Sequence, residues 1–263
     1  MGPAKKIAIV RNGESSNYFL DMEDLFKEGL LFPIDEYLVL DKSSGYAAIK
    51  KENGHRRRKM HCNNLDICRM VSTIGKYEMP ILAPYDGRIP DRLIPFSAAI
   101  STTIDGAGVH FFIDDYQFER IWWNVDRYVE KLRKYTCVVG PDFSQYGDMS
   151  YPMRIWNCYR NKVVSSYLQN HGVKIVPNVT WSLPDSYDYC FDGIPTNSVI
   201  AINCTSIINS NLSKYLWYKG YDEAIKRLNP KCIIRYGTKM PGEHEDISYY
   251  FENERLKKLR HGR

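Results

Sequence analysis

What the chain lacks narrows its chemistry first. No GxGxxG follows a strand-like run, and no GxxxxGK is followed by Ser or Thr. That removes the dinucleotide fingerprint and the P-loop. No GxSxG or HExxH occurs, which sets aside the hydrolase elbow and the zincin helix. Histidine is scarce at six residues, and the spacings of zinc fingers and RNA-recognition domains are missing. No apolar stretch approaches the ~18 residues of a membrane-spanning helix. The first residues, MGPAKK, lead into IAIV without a long apolar core, so no signal peptide is expected. Lys6 stands where N-myristoylation wants Ser or Thr. The seven cysteines are odd in number and scattered, which fits reduced thiols and a cytoplasmic location.

What is present is ordinary in bulk. The 263 residues suffice for one large α/β domain or one domain with an appendage. A net charge of +5 and a pI near 8.7 permit nucleic-acid binding without demanding it. The stricter footprint is a domain pI above ~9 with clustered basic residues. Here the excess is spread out, with two local runs. One is Arg56, Arg57, Arg58 and Lys59; the other is Arg255, Lys257, Lys258, Arg260 and Arg263. The 20 tyrosines suit half-buried surfaces with a wet edge as well as a core.

The pattern divides into three. Residues 1–79 read as a small α+β appendage, with strands near 7–10, 36–40 and 46–50 and a helix near 22–31. His55, His61, Cys62 and Cys68 invite a zinc reading, but five residues separate the two cysteines where structural sites use two to four. Residues 80–240 alternate strand-like and helical segments, the signature of a parallel βα-repeat domain. An incomplete barrel and a doubly wound sheet both remain open. Strands are expected near 109–113, 137–139, 173–179, 198–204 and 231–235, with 80–83 as a further candidate. Asp114 and Gln117 suggest a capping box for a helix through 132. Pro90 and Pro95 argue against regular structure between 88 and 103, and Gly220 is expected to break a helix between 212 and 228. Residues 241–263 read as a polar, basic tail.

The blocks VHFFIDDYQFERIW, GPDFSQYGDMS with MRIWNCYRN, VPNVTW, YCFDGIP and IIRYG occur in order over roughly residues 80–240. They resemble a family of uncharacterised bacterial proteins carried by phages, prophages and plasmids, known only as a domain of unknown function. The resemblance implies a mobile-element origin. It raises the expectation of a nucleic-acid or host-interaction role and transfers no activity.

The expected strand exits gather polar groups at one edge, where parallel α/β folds place their ligands. Asp114, Asp115 and Asp142 are the candidate catalytic acids. They also suit Mg²⁺, which binds through one or two carboxylates plus water and phosphate. Ser144, Arg154, Asn157, Arg160, Asn178, Trp181, Asn203 and Arg235 are the candidate substrate-binding residues, the arginines as phosphate ligands. Each has a plainer reading. Asp114 and Asp115 serve as helix caps, Asp142 satisfies a turn after Pro141, and the amides close strand ends. Two functions stand side by side. One is a nucleic-acid-binding protein, a metal-dependent phosphodiester-processing enzyme in its catalytic form. The other is a non-catalytic protein binding a host factor or a small nucleotide. No membrane partner is expected.

Overall fold

The computed structural model describes residues 7–8, 19–20, 62–205 and 210–253. The chain divides into two compact units, Met1–Leu65 and Asp66–Arg263. In the first, Ile7–Ala8 (β1) pairs antiparallel with Phe19–Leu20 (β2). The helix expected at 22–31, the strands at 36–40 and 46–50, both basic runs, His55 and His61 lie outside the described residues.

The second unit opens with a short antiparallel pair, Thr73–Ile74 (β3) against Met79–Pro80 (β4). Its sheet is otherwise parallel. Arg92–Pro95 (β5), Ala107–His110 (β6), Cys137–Val139 (β7) and Ile175–Val176 (β8) lie side by side in that order. Val199–Asn203 (β9), Cys232–Tyr236 (β10) and Ser248–Phe251 (β11) continue likewise. A parallel bridge between Asn178 and Ala201 joins the two groups. Its hydrogen bonds run from Ala201 N to Pro177 O at 2.8 Å and from Val179 N to Ala201 O at 2.9 Å. Strand order follows chain order throughout. A doubly wound sheet needs a reversal of order, and none occurs among the described residues.

The helices fill the connections. Phe96–Ala99 (α1) follows β5, and Arg120–Trp123 (α2) and Asp126–Leu132 (α3) follow β6. Tyr151–Asn170 (α4) follows β7, and Asn211–Leu228 (α5) follows β9. Strand alternation sorts the core into faces. Ile94, Val109, Val138 and Ile175 point towards Ile121, Trp122, Leu132 and Leu168 of the helices. Ile200, Ile202 and Ile233 meet Trp217, Tyr221 and Leu228 of α5. Burying each Leu- or Ile-sized side chain is worth about 1.5–3 kcal/mol, which holds the helices on this side. The intervening residues form a separate interior. Leu93 of β5, Val139 of β7, Val176 of β8, Ala201 of β9 and Ile234 of β10 share one cluster. Residues from widely separated strands meet there because the sheet curls into an incomplete barrel.

Several local expectations change. Arg92–Pro95 is a strand, with Leu93 and Ile94 pointing to opposite faces. Pro95 is tolerated because it closes an edge strand. The helix expected through 132 is split, as Asn124 leaves helical dihedrals (φ −150°, ψ 56°). Asp114 precedes a 3-10 turn without a side-chain cap. α5 runs unbroken through Gly220, whose missing side chain admits another residue. Ser248–Phe251, in the polar tail of the sequence reading, is an edge strand along β10.

Candidate functional site

Curling brings the C-terminal ends of the strands around one cleft of about 780 Å³. Pro95 reaches it from β5, and His110, Phe112 and Asp114 from β6 and its exit. Asp142, Ser144, Gln145 and Tyr146 follow β7, while Thr180, Trp181 and Ser182 follow β8. Asn203 and Thr205 come from the end of β9, Tyr236 from β10, Asn253 from beyond β11 and Trp217 from α5. Among the described residues lining the cleft there is no Lys or Arg.

The loop after β7 carries the densest chemistry, and the polar side chains of α4 hold it in place. Asn161 accepts from Phe143 N–H at 2.7 Å through its Oδ1, and its amide donates back to Phe143 O at 3.3 Å. The Asn157 amide donates to Ser144 O. From the other side, Asp115 accepts from Ser144 N–H at 3.1 Å and from Ser144 Oγ at 2.8 Å. Lys162, buried in α4, donates to the carbonyls of Tyr189, Cys190 and Asp192 at 3.0, 2.9 and 2.6 Å. Asn157, Asn161 and Lys162 persist in this buried helix because loop carbonyls and amides match them.

Asp142 sits at the centre of the edge. Asn178 Nδ2 donates to its Oδ1 at 2.9 Å and also to Pro141 O at 3.2 Å. Burial pushes the Asp142 carboxyl up to about 6. Hydrogen bonds from Asn178, Asn203 and Thr180 work against that rise, and the nearby charge of Asp115 adds to it. A carboxyl titrating there exchanges protons near neutral pH.

His110 is a second titratable group inside. It is 1% exposed, and burial lowers its pKa to about 3. Its Nδ1 accepts the Phe112 N–H at 3.1 Å, so the neutral ring carries its proton on Nε2.

The remaining sequence candidates have various places. Asp114 lines the cleft and accepts from Gln117 Nε2 at 3.2 Å. Asp115 stands behind Ser144, and Asn178 behind Asp142. Asn203 lines the cleft while its Oδ1 accepts from Thr205 N–H at 2.9 Å. Trp181 forms a wall, seated in the space that Gly220 leaves open. The arginines are occupied elsewhere. Arg154 makes a two-pronged pair with Asp185 at 2.7 and 2.8 Å. Arg160 donates to Asn157 Oδ1 at 2.9 Å and lies 3.6 Å from the centre of the Phe143 ring. Arg235 is fully buried against Glu243 and donates to Ile202 O at 3.0 Å. Alternation along β10 turns Arg235 to the helix side and Tyr236 to the cleft.

Among the described residues no cluster of three or more His, Cys, Asp or Glu side chains is placed to hold a metal ion. Amide and hydroxyl donors engage one oxygen each of Asp114 and Asp142 and both oxygens of Asp115. No helix among the described residues is long and apolar enough to cross a membrane.

Sequence reasoning missed Gln145 and His110. Gln145 carried no pattern signal. His110 carried one: with Phe112 it shares the inward face of an apolar strand, where a polar residue is uncommon.

Comparison with known proteins places this fold in context. No solved structure matches it. The chain is 34% identical over 176 residues to the "Gene 1 protein" of Mycobacterium phage L5, covering 66% of this chain and 76% of that protein. It is 32% identical over 164 residues to the "Gene 1 protein" of Mycobacterium phage D29, covering 61% of this chain and 60% of that protein. A family model described as a domain of unknown function, DUF4417, matches residues 71–253, the whole of the parallel sheet and its cleft, and the chain belongs to that family.

Proposed function

We propose that this chain binds an uncharged small molecule in the strand-exit cleft and transfers a proton to or from it through Asp142. The observation that carries this reading is the Asp142 carboxyl itself. It is set among donors at the cleft and titrates near 6. A general acid or base works best when its pKa lies near the operating pH. The lining supports a ligand without phosphate. It offers the carboxylates of Asp114 and Asp142, and no Lys or Arg among its described residues. The nucleic-acid reading would require phosphate contacts outside the cleft.

Incubation with a panel of neutral nucleosides, amides and glycosides at pH 6, followed by mass spectrometry, reads both retention and turnover. The reading requires that a compound binds and is converted, and that Asp142→Ala abolishes conversion while circular dichroism shows the fold intact. It fails if nothing binds at millimolar concentration, or if conversion is indifferent to Asp142. A mobility shift with DNA and RNA at ~50 mM salt tests the nucleic-acid reading, because phosphate contacts are strongest at low salt.

A further inference from the structure

Gln145 is 8% exposed and lines the cleft, three residues beyond Asp142. Both its amide nitrogen and its amide oxygen are buried without a hydrogen-bond partner. Its neighbours are the opposite case. Phe143 is bonded through both backbone polar groups to Asn161, and Ser144 to Asp115 and Asn157. The loop is therefore fixed around an amide that nothing in the fold satisfies. Native structures rarely leave a buried donor and acceptor in that condition, and one that does calls for an explanation such as a water, an ion or a ligand. Ser182 Oγ, from the loop after β8, lines the same cleft and is also buried without a partner.

We propose that Gln145 is the recognition group of the cleft, turning its amide out of the buried rotamer to meet the ligand, and that this ligand is an uncharged nucleobase or nucleoside, read through an adjacent donor and acceptor. This rests on the cleft being a small-molecule site, and it adds the ligand class. Side-chain amides pair two-pronged with the edge of a base, one atom donating and the other accepting. A simple ammonium ligand would leave the amide nitrogen unmet, because it has no acceptor. Trp181, half-buried in the wall of the same cleft, supplies an aromatic ring, and bases stack on such rings. Asp114 and Asp142 disfavour an attached phosphate, so the nucleoside is preferred to its monophosphate.

Calorimetric titration of the full chain with four free bases, their nucleosides, their 5′-monophosphates and a neutral monosaccharide tests the proposal. At least one base or nucleoside should bind, and its monophosphate at least tenfold more weakly. Gln145→Met keeps the length of the side chain and removes both polar atoms. It should cost at least tenfold in affinity and raise the melting temperature of the free protein, since it removes an unsatisfied amide. Gln145→Glu keeps one acceptor and loses the donor, and should weaken binding comparably. A monophosphate that binds as tightly as its nucleoside overturns the proposal. So does a drop in melting temperature for Gln145→Met, which would mark the amide as a structural group. Binding of the monosaccharide alone overturns the ligand class and leaves the cleft as a small-molecule site. Silence from the whole panel overturns the base assignment. Asp142→Ala on any other converted compound then decides the broader reading separately.

Discussion

The ring centroids of His110 and Tyr236 lie 4.3 Å apart, with their planes tilted by 37°. His110 is on β6 and Tyr236 on β10, and β7, β8 and β9 stand between them in strand order. In a flat sheet, four strand spacings would separate them by ~19 Å. Their contact is a direct measure of how far the sheet curls, and it forms the floor on which the cleft rests.

That contact has a pH signature. The imidazole is held neutral in the folded chain and titrates at its ordinary value when unfolded. Unfolding therefore takes up a proton between about pH 6.5 and 3, and this group's contribution to stability falls as pH falls through that window. His110→Phe keeps a ring against Tyr236 and loses the acceptor for the Phe112 N–H, at a cost of about 1 kcal/mol near pH 7. Urea denaturation at a series of pH values should show the gap between variant and parent closing as pH drops from 7, and the variant becoming the more stable of the two before pH 4 is reached. A gap that does not change with pH would count against the neutral, buried imidazole.

Asp142 should act in the opposite direction. Its folded pKa lies above its ordinary value, so the folded state holds the extra proton between about 4 and 6. Stability from this group is present below that window and lost as pH rises through it. Asp142→Asn should gain on the parent as pH rises from about 4 to 6 and hold that gain above, measured as the difference in denaturation midpoint. A constant difference would place the carboxyl in water rather than in the protein.

Gly220 gives Trp181 its seat. A Cβ there would lie 2.1 Å from Trp181 Nε1. Gly220→Ala should destabilise by about 1–3 kcal/mol through overpacking, despite the better helix propensity of alanine. The displaced indole should also change the tryptophan fluorescence of the cleft. A stabilised variant would show that the indole does not press on the helix.

The pair of Arg235 and Glu243 is buried on both sides. Removing one partner strands a charge, so Arg235→Ala should cost about 3–5 kcal/mol in chemical denaturation. Replacing both, with Arg235→Met and Glu243→Leu, should recover most of that loss. Loss of ligand binding with full stability in Arg235→Ala would instead make the arginine a ligand contact.

The β7–α4–β8 unit was readable from the sequence because its apolar runs, helical spacing and closing Gly172 all agree. The place of the cleft was readable for the same reason, since polar residues follow each apolar run. Strand β5 was hidden by its prolines, and β11 by a polar neighbourhood. Both acquire their conformation from a neighbouring strand rather than from local preference. Gly220 looked like a break because a glycine's reason for being there can lie in a residue remote in sequence.

The sequence by itself determined that this is a parallel α/β domain and that Asp142 stands at a strand exit. Those properties depend on periodicity and on immediate neighbours. Tertiary structure alone decided which polar groups face the cleft. Arg154, Arg160 and Arg235 are consumed by Asp185, Asn157 and Glu243, whereas Gln145 is buried without a partner. Whether a polar side chain is already satisfied depends on contacts between distant residues, and only the folded chain brings those together.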